Sequence, residues 1–145
     1  MAQIQHQISD KEVLGELLPQ KFPFVMIDKM LDYNEASVVS GLKITKDNIF
    51  FNGQNFLESG LIEHMAQTVA LHTGYQFFLK KEAAPTGYIG SIKEINISQL
   101  PKLGDEIKTT VNILQEFAGI TLVDIATTLN GVEIASGQMK TVLAK

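Results

Sequence analysis

The chain has 145 residues and not one cysteine. Disulfides, thiolate nucleophiles and sulfur ligands for a metal are therefore excluded. Arginine is missing as well: all twelve basic side chains are lysines, and the net charge is −4. Sequence-reading nucleic-acid proteins lean on bidentate arginine and are usually basic, so nucleic acid is not an expected partner. No apolar run reaches the ~20 residues a membrane-spanning helix needs. The longest one, after Ser59, is interrupted by Glu63, His64, Gln67 and His72. The first six residues, Met-Ala-Gln-Ile-Gln-His, show neither the basic start nor the apolar core of a secretory leader. A cytoplasmic protein that does not enter membranes is the expectation. Metal-ligand spacing of the His-Glu-x-x-His kind, a phosphate-cradling Gly-x-x-x-x-Gly-Lys loop and a dinucleotide fingerprint are all missing too.

What remains is an ordinary globular composition, 45% hydrophobic and 19% charged. One domain over 1–145 is expected, with residues 1–8 as a disordered tail. A chain of this length buries roughly two-thirds of its unfolded surface. Ser9-Asp10-Lys11-Glu12 carries a capping-box pattern ahead of the apolar positions Val13, Leu14, Leu17 and Leu18, and predicts a short helix ended by Pro19. Residues 24–31 and 36–44 read as two strands separated by Asn34-Glu35. Leu61, Ile62, Met65, Ala66, Val69, Phe77 and Phe78 recur at helical spacing, predicting a long helix that ends at Lys80 or Lys81. Asn55 with Glu58 is its candidate cap. Four extended segments follow as a meander: 87–98, 107–117, 120–129 and 132–143. Ala118-Gly119 and the strong tight-hairpin signal Asn130-Gly131 are the turns at the two later junctions.

An antiparallel sheet of five or six strands must cover its apolar face, and only the long helix is large enough to do so. The predicted class is α+β, a sheet wrapped around one central helix. Apolar residues on both faces of 120–129 call for a further partner, most simply a second subunit. On the helix, Glu63, Gln67 and Gly74 share a face, because residues four and seven apart stand above one another. A carboxylate and an amide one turn apart, flanked by apolar neighbours, need partners if buried. This is where chemistry is expected. A local lysine patch, Lys80-Lys81 with Lys21 or Lys93, could hold an acidic partner, although lysines on a solvated surface are ordinary.

The arrangement resembles the hotdog fold, and several motifs resemble the 3-hydroxyacyl-acyl-carrier-protein dehydratases within it. Residues 18–29, Leu-Pro-Gln-Lys-Phe-Pro-Phe-Val-Met-Ile-Asp-Lys, are similar to that family's Leu-Pro-His-Arg-Tyr-Pro-Phe-Leu-Leu-Val-Asp-Arg. Residues 50–54, Phe-Phe-Asn-Gly-Gln, resemble its Phe-Phe-x-Gly-His, and 62–67, Ile-Glu-His-Met-Ala-Gln, its Ile-Glu-Ala-Met-Ala-Gln. Residues 88–92 and 101–105 stand where the family has comparable strand and turn signatures. The resemblance implies catalysis by a helix carboxylate and a loop histidine drawn from the two subunits of a dimer.

The carboxylate carries over onto Glu63. The histidine does not: Gln54 stands in its place, and the loop that follows is shortened to residues 55–60. Glutamine makes hydrogen bonds but cannot transfer a proton near neutral pH. His64, about 100° round the helix from Glu63, is the candidate replacement acid–base group, or else a hydrogen-bonded packing residue. His72 is a weaker candidate, and His6 falls in the tail. Gly53, Gln54, Gly60 and Gln67 are candidate substrate-binding residues at the start and along the face of the helix.

The resemblance implies dehydration of a 3-hydroxyacyl thioester to the trans-2-enoyl product. Acyl carrier protein or coenzyme A would be the carrier, and no cofactor is needed beyond the thioester's own phosphopantetheine arm. It also implies a homodimer or an assembly of dimers, with an acyl tunnel beside the central helix. Two alternatives stand beside this one. A hotdog thioesterase could work with a lone helix carboxylate. A non-catalytic acyl-binding or heterodimer partner subunit would need no acid–base pair of its own.

Overall fold

A computed structural model describes residues 7–144. The short helix α1 spans Lys11–Leu17, and its first turn is capped by Asp10. The Asp10 carboxylate accepts hydrogen bonds from the Glu12 and Val13 amides at 2.8 and 3.3 Å. The cap therefore falls one residue later than the Ser9 expected from the capping-box pattern. A carboxylate serves the free amides and the positive helix end better than a hydroxyl does. Of the expected disordered tail, residues 1–6 lie outside the described residues. Ile8 forms a two-way bridge with Met30, at 2.9 and 2.7 Å.

Strands β1 (Lys29–Asn34) and β2 (Ser37–Lys43) form the first hairpin. The expected first strand, 24–31, is thus displaced towards the turn. Residues 24–26 do not extend the sheet because side chains of the central helix engage their main chain: Phe24 O, Met26 N and Met26 O all bond to Gln67 or His64. The central helix α2 runs from Glu58 to Leu79. Leu57 occupies the cap position with no side-chain hydrogen bond, so the expected Asn55 cap is not used. Lys80 and Lys81 follow the helix rather than lying in its last turn, and the Lys80 ammonium stands 5.1 Å over the Phe77 ring.

Strands β3 (Gly87–Ile97), β4 (Glu106–Phe117), β5 (Ile120–Leu129) and β6 (Val132–Leu143) complete a six-stranded antiparallel sheet in the order β1-β2-β4-β5-β6-β3. Both predicted turns close as tight hairpins, with positive φ at Ala118-Gly119 and at Asn130-Gly131. The four later strands are not a simple meander. β3 pairs with β6, and the chain then crosses to lay β4 beside β2. Turn chemistry fixes neighbouring strands only; it is silent about which strand takes the edge.

The inward positions of β2, β4 and β5 pack on α2, giving one core that includes Val38, Leu42, Leu61, Met65, Ile107, Val111, Val123, Ile125 and Met139. On the outer face, Asp124 accepts a hydrogen bond from Gln138 at 2.8 Å. The middle of that face is therefore more polar than the apolar pattern of 120–129 suggested. No helix among the described residues is long and apolar enough to cross a membrane.

Candidate active site

Helix α2 turns two different polar edges to its surroundings. One comprises Gly60, Gln67 and Gly74, seven residues apart, with Glu63 beside Gln67. At Gly74 the helix passes so close to the end of α1 that a Cβ would overlap the carbonyl oxygen of Leu17. At Gly60 a Cβ would stand 2.6 Å from both the Phe50 Cβ and the Phe56 ring. Gly60 is thus a packing position, with its Cα wedged against two aromatic residues. Gln67 lies between these close approaches and is 0% exposed. Its Oε1 accepts from the Met26 amide at 2.7 Å. Its Nε2 donates to Phe24 O and to Glu63 Oε2, both at 2.8 Å. Glu63 itself is only partly buried.

The second edge faces the sheet. His64 is 0% exposed and has both ring nitrogens engaged: Nδ1 is 2.7 Å from Met26 O, and Nε2 is 2.8 Å from Thr109 Oγ1. A carbonyl oxygen only accepts, so Nδ1 carries the proton. Burial lowers the His64 pKa to about 4, outweighing the Met26 carbonyl and the Asp28 charge, which both favour the proton. The ring is therefore neutral at pH 7, and Nε2 accepts the Thr109 hydroxyl. Thr109 in turn accepts from Thr127, 2.6 Å away. One residue turn along the helix, Thr68 donates to His64 O at 2.8 Å, which leaves Ser40 as the donor in the 2.8 Å Ser40–Thr68 pair.

Ser40, Thr109 and Thr127 are direct cross-strand neighbours on β2, β4 and β5. They make a row of hydroxyls across the sheet beneath His64 and Thr68. These residues were not singled out from sequence, although a signal exists. Each is the lone hydroxyl between two inward aliphatics: Val38-x-Ser40-x-Leu42, Ile107-x-Thr109-x-Val111 and Ile125-x-Thr127-x-Leu129.

The structure brings Glu63, His64 and Gln67 together around the segment 24–26. It leaves Gly53 and Gln54 in an exposed turn ahead of α2, where the Gln54 amide donates to Asn52 Oδ1 at 2.9 Å and Gly53 has φ 100°. His72 is buried against Tyr33, with Nε2 donating to Asn34 O at 2.9 Å, well away from this group. The acid–base role expected of His64 meets a ring with no free nitrogen and no access to solvent. The substrate-binding role expected of Gln67 meets an amide whose oxygen and two hydrogens already have partners. Two clefts of about 510 and 260 Å³ open on the outer sheet face, the first lined by residues such as Glu94, Asp124 and Glu133, the second by Phe117, Leu122 and Lys140. Neither is lined by Glu63, so the tunnel expected beside the helix is not one of these two clefts. Among the described residues no cluster of histidine and carboxylate side chains could hold a metal.

Comparison with known proteins places this geometry in context. The family model described as ApeP dehydratase, of the ApeP-like group, matches residues 13–144. The chain is 31% identical over 133 residues to the 3-hydroxyacyl-[acyl-carrier-protein] dehydratase FabZ of Vibrio cholerae serotype O1, covering 88% of this chain and 86% of that one. The dehydratase FabZ of Haemophilus influenzae is 28% identical over 141 residues, covering 93% of each chain. Among solved structures, the dehydratase heterocomplex ApeI:P from Xenorhabdus doucetiae superposes with a TM-score of 0.80 at 18% identity, over 90% of each chain. A hypothetical thioesterase with coenzyme A from Streptococcus pneumoniae gives 0.63 at 14% identity, over 79% of this chain and 84% of that one. The fold is the hotdog fold, a six-stranded antiparallel sheet wrapped on one long helix.

Proposed function

Because this chain belongs to the ApeP-like dehydratase family, we propose that it acts in the dehydration of a 3-hydroxyacyl group carried as a thioester on an acyl carrier protein. The observation that carries this reading is Glu63, a carboxylate on the central helix that is held by Gln67 at 2.8 Å and partly open to solvent. It is supported by the relatives named as 3-hydroxyacyl-[acyl-carrier-protein] dehydratases. Dehydration removes a proton from C2 and expels the C3 hydroxyl as water, leaving the trans-2-enoyl thioester. One group must take the C2 proton and one must protonate the departing oxygen. Glu63 is the residue of this chain assigned to that proton traffic. A positioned acid–base group contributes roughly 100- to 10,000-fold in rate, a few kcal/mol of barrier.

A second reading follows from two observations. Gln54 occupies the place of a histidine and cannot transfer a proton, and His64 has both nitrogens engaged. Among the described residues of this group on α2, Glu63 is then the one left for proton transfer, and a histidine-bearing hotdog subunit would complete the pair. The similarity to a dehydratase heterocomplex supports this reading. A homodimer, a cytoplasmic location and an acyl tunnel beside the central helix, near the subunit boundary, belong to the leading reading in its simplest form. So does action as a single hotdog domain.

Mass spectrometry on 3-hydroxyacyl carrier-protein thioesters of several chain lengths tests both. The purified chain should remove one water per acyl group, by itself under the first reading and only with a histidine-bearing hotdog dehydratase under the second. The parallel coenzyme A thioesters would identify the carrier. Release of free thiol without loss of water would replace both readings with a thioesterase.

A further inference from the structure

We infer that a second copy of this chain docks on the outer face of the sheet, back to back with the first and with its strands aligned. In an antiparallel pair, residues directly opposite each other point to the same side. Phe117 stands opposite Ile120, Ile120 opposite Val142, and Val142 opposite Tyr88. These four therefore form one row across β4, β5, β6 and β3. On β5 and β6 the core residues Val123 and Met139 take the alternate positions, so the row faces away from α2. Its members are 77, 41, 37 and 62% exposed. Single exposed apolar residues are ordinary; four aligned on one surface mark a contact. A cleft of about 260 Å³ lies between this row and the next, with Phe117, Ile120, Leu122 and Lys140 on its walls.

The order of the row selects the occupant. It reads aromatic, aliphatic, aliphatic, aromatic. A twofold axis running along the strands between β5 and β6 reverses that order. It lays Phe117 against Tyr88 of the second copy, and Ile120 against Val142. A surface that matches itself in this way is what an isologous contact needs. Sheets packed face to face lie about 10 Å apart with strands within about 30° of one another, close enough for such rows to interdigitate.

The charges agree. Beyond Ile120 the next outward residue of β5 is Leu122, opposite Lys140; after it comes Asp124, opposite Gln138. The same axis puts Lys140 over Leu122 of the second copy, with Asp124 the next outward residue on that strand. Gln138 donates to Asp124 Oδ1 at 2.8 Å, which leaves Oδ2 for the lysine. Two copies make this pair twice. An acidic carrier protein would meet like charge instead, because Asp124, Glu94 and Glu133 line the larger cleft on the same face. The contact leaves α2 and Glu63 untouched. It is independent of the proposed function and lets each copy keep a histidine-bearing partner.

Sedimentation equilibrium of the full chain at micromolar concentration tests this. The Phe117→Glu particle should have half the mass of the wild-type particle, whatever other contacts both retain. Asp124→Lys and Lys140→Glu should each lower the mass towards that half, by setting like charges against each other. The two together should restore the wild-type mass, because the pair re-forms with its signs exchanged. Equal masses for the wild type and Phe117→Glu would overturn the inference, and so would a double variant no heavier than its parents. If Phe117→Glu fails to fold, the charge variants decide by themselves. If Phe117→Glu instead sheds an added carrier protein or histidine-bearing subunit, at an unchanged number of copies of this chain, the face belongs to that partner and the inference falls.

Discussion

His64 donates from Nδ1 to the main-chain oxygen of Met26 across 2.7 Å, joining residues 38 apart in sequence. The helix thus holds a segment that would otherwise extend the first strand. Replacing His64 with Leu keeps much of the volume but leaves Met26 O without its ring partner and the Thr109 hydroxyl with Thr127 alone. Each buried group so deprived costs about 1–3 kcal/mol. Urea denaturation of His64→Leu should show a loss of about 3 kcal/mol, and a loss below 1 kcal/mol would contradict this arrangement.

The same ring sets a pH dependence. Its pKa is lowered in the fold to about 4, from an ordinary 6.5. The unfolded chain therefore binds the proton more tightly than the folded one. The stability due to neutral His64 is complete above pH 6.5 and is lost as pH falls from there towards 4. The difference amounts to on the order of 3 kcal/mol at ~1.4 kcal/mol per unit. His72, also lowered by burial, acts in the same direction. Melting curves from pH 7.5 to 4.5 should fall steadily for the wild type and less steeply for His64→Leu. Parallel curves would refute the assignment.

Thr109 and Thr127 are not equivalent. Thr109 both donates to His64 and accepts from Thr127, whereas Thr127 stands at the end of the relay. Thr109→Val should cost about 2–3 kcal/mol, because it strands Nε2 and the Thr127 hydroxyl together. Thr127→Val should cost about 1 kcal/mol. Equal costs in denaturant titrations would mean that the direction of the relay is wrong.

Glu63→Gln preserves shape and removes the exchangeable carboxyl proton. Turnover should fall by about 100-fold or more, with far-ultraviolet circular dichroism and melting temperature close to wild type. Undiminished turnover would remove Glu63 from the mechanism.

At Gly74 the obstacle is main chain, which cannot swing aside as a side-chain tip can. Gly74→Ala should push α1 off α2 and cost about 2–3 kcal/mol, the upper range for overpacking. Gly137→Ala would meet chiefly the Cδ1 of Ile95, the flexible end of a side chain, so its penalty should be smaller. The two melting temperatures, compared side by side, check the ordering.

Sequence alone determined the class of fold, the long helix, the last two strands to the residue, both tight turns and the position of the candidate carboxylate. Those features rest on local chemistry: helical and alternating periodicity, positive φ in Asn-Gly and Ala-Gly turns, and motif order. Only the tertiary structure decided the place of β3 at the sheet edge, the conversion of 24–26 from strand to anchored segment, and the hydrogen-bond partners of His64 and Gln67. Those outcomes depend on which partners meet across tens of residues. A histidine reads alike in sequence whether it faces a substrate or a carbonyl oxygen. What separates the two is the geometry of a buried hydrogen bond, formed only once Met26, Thr109 and α2 have been brought together.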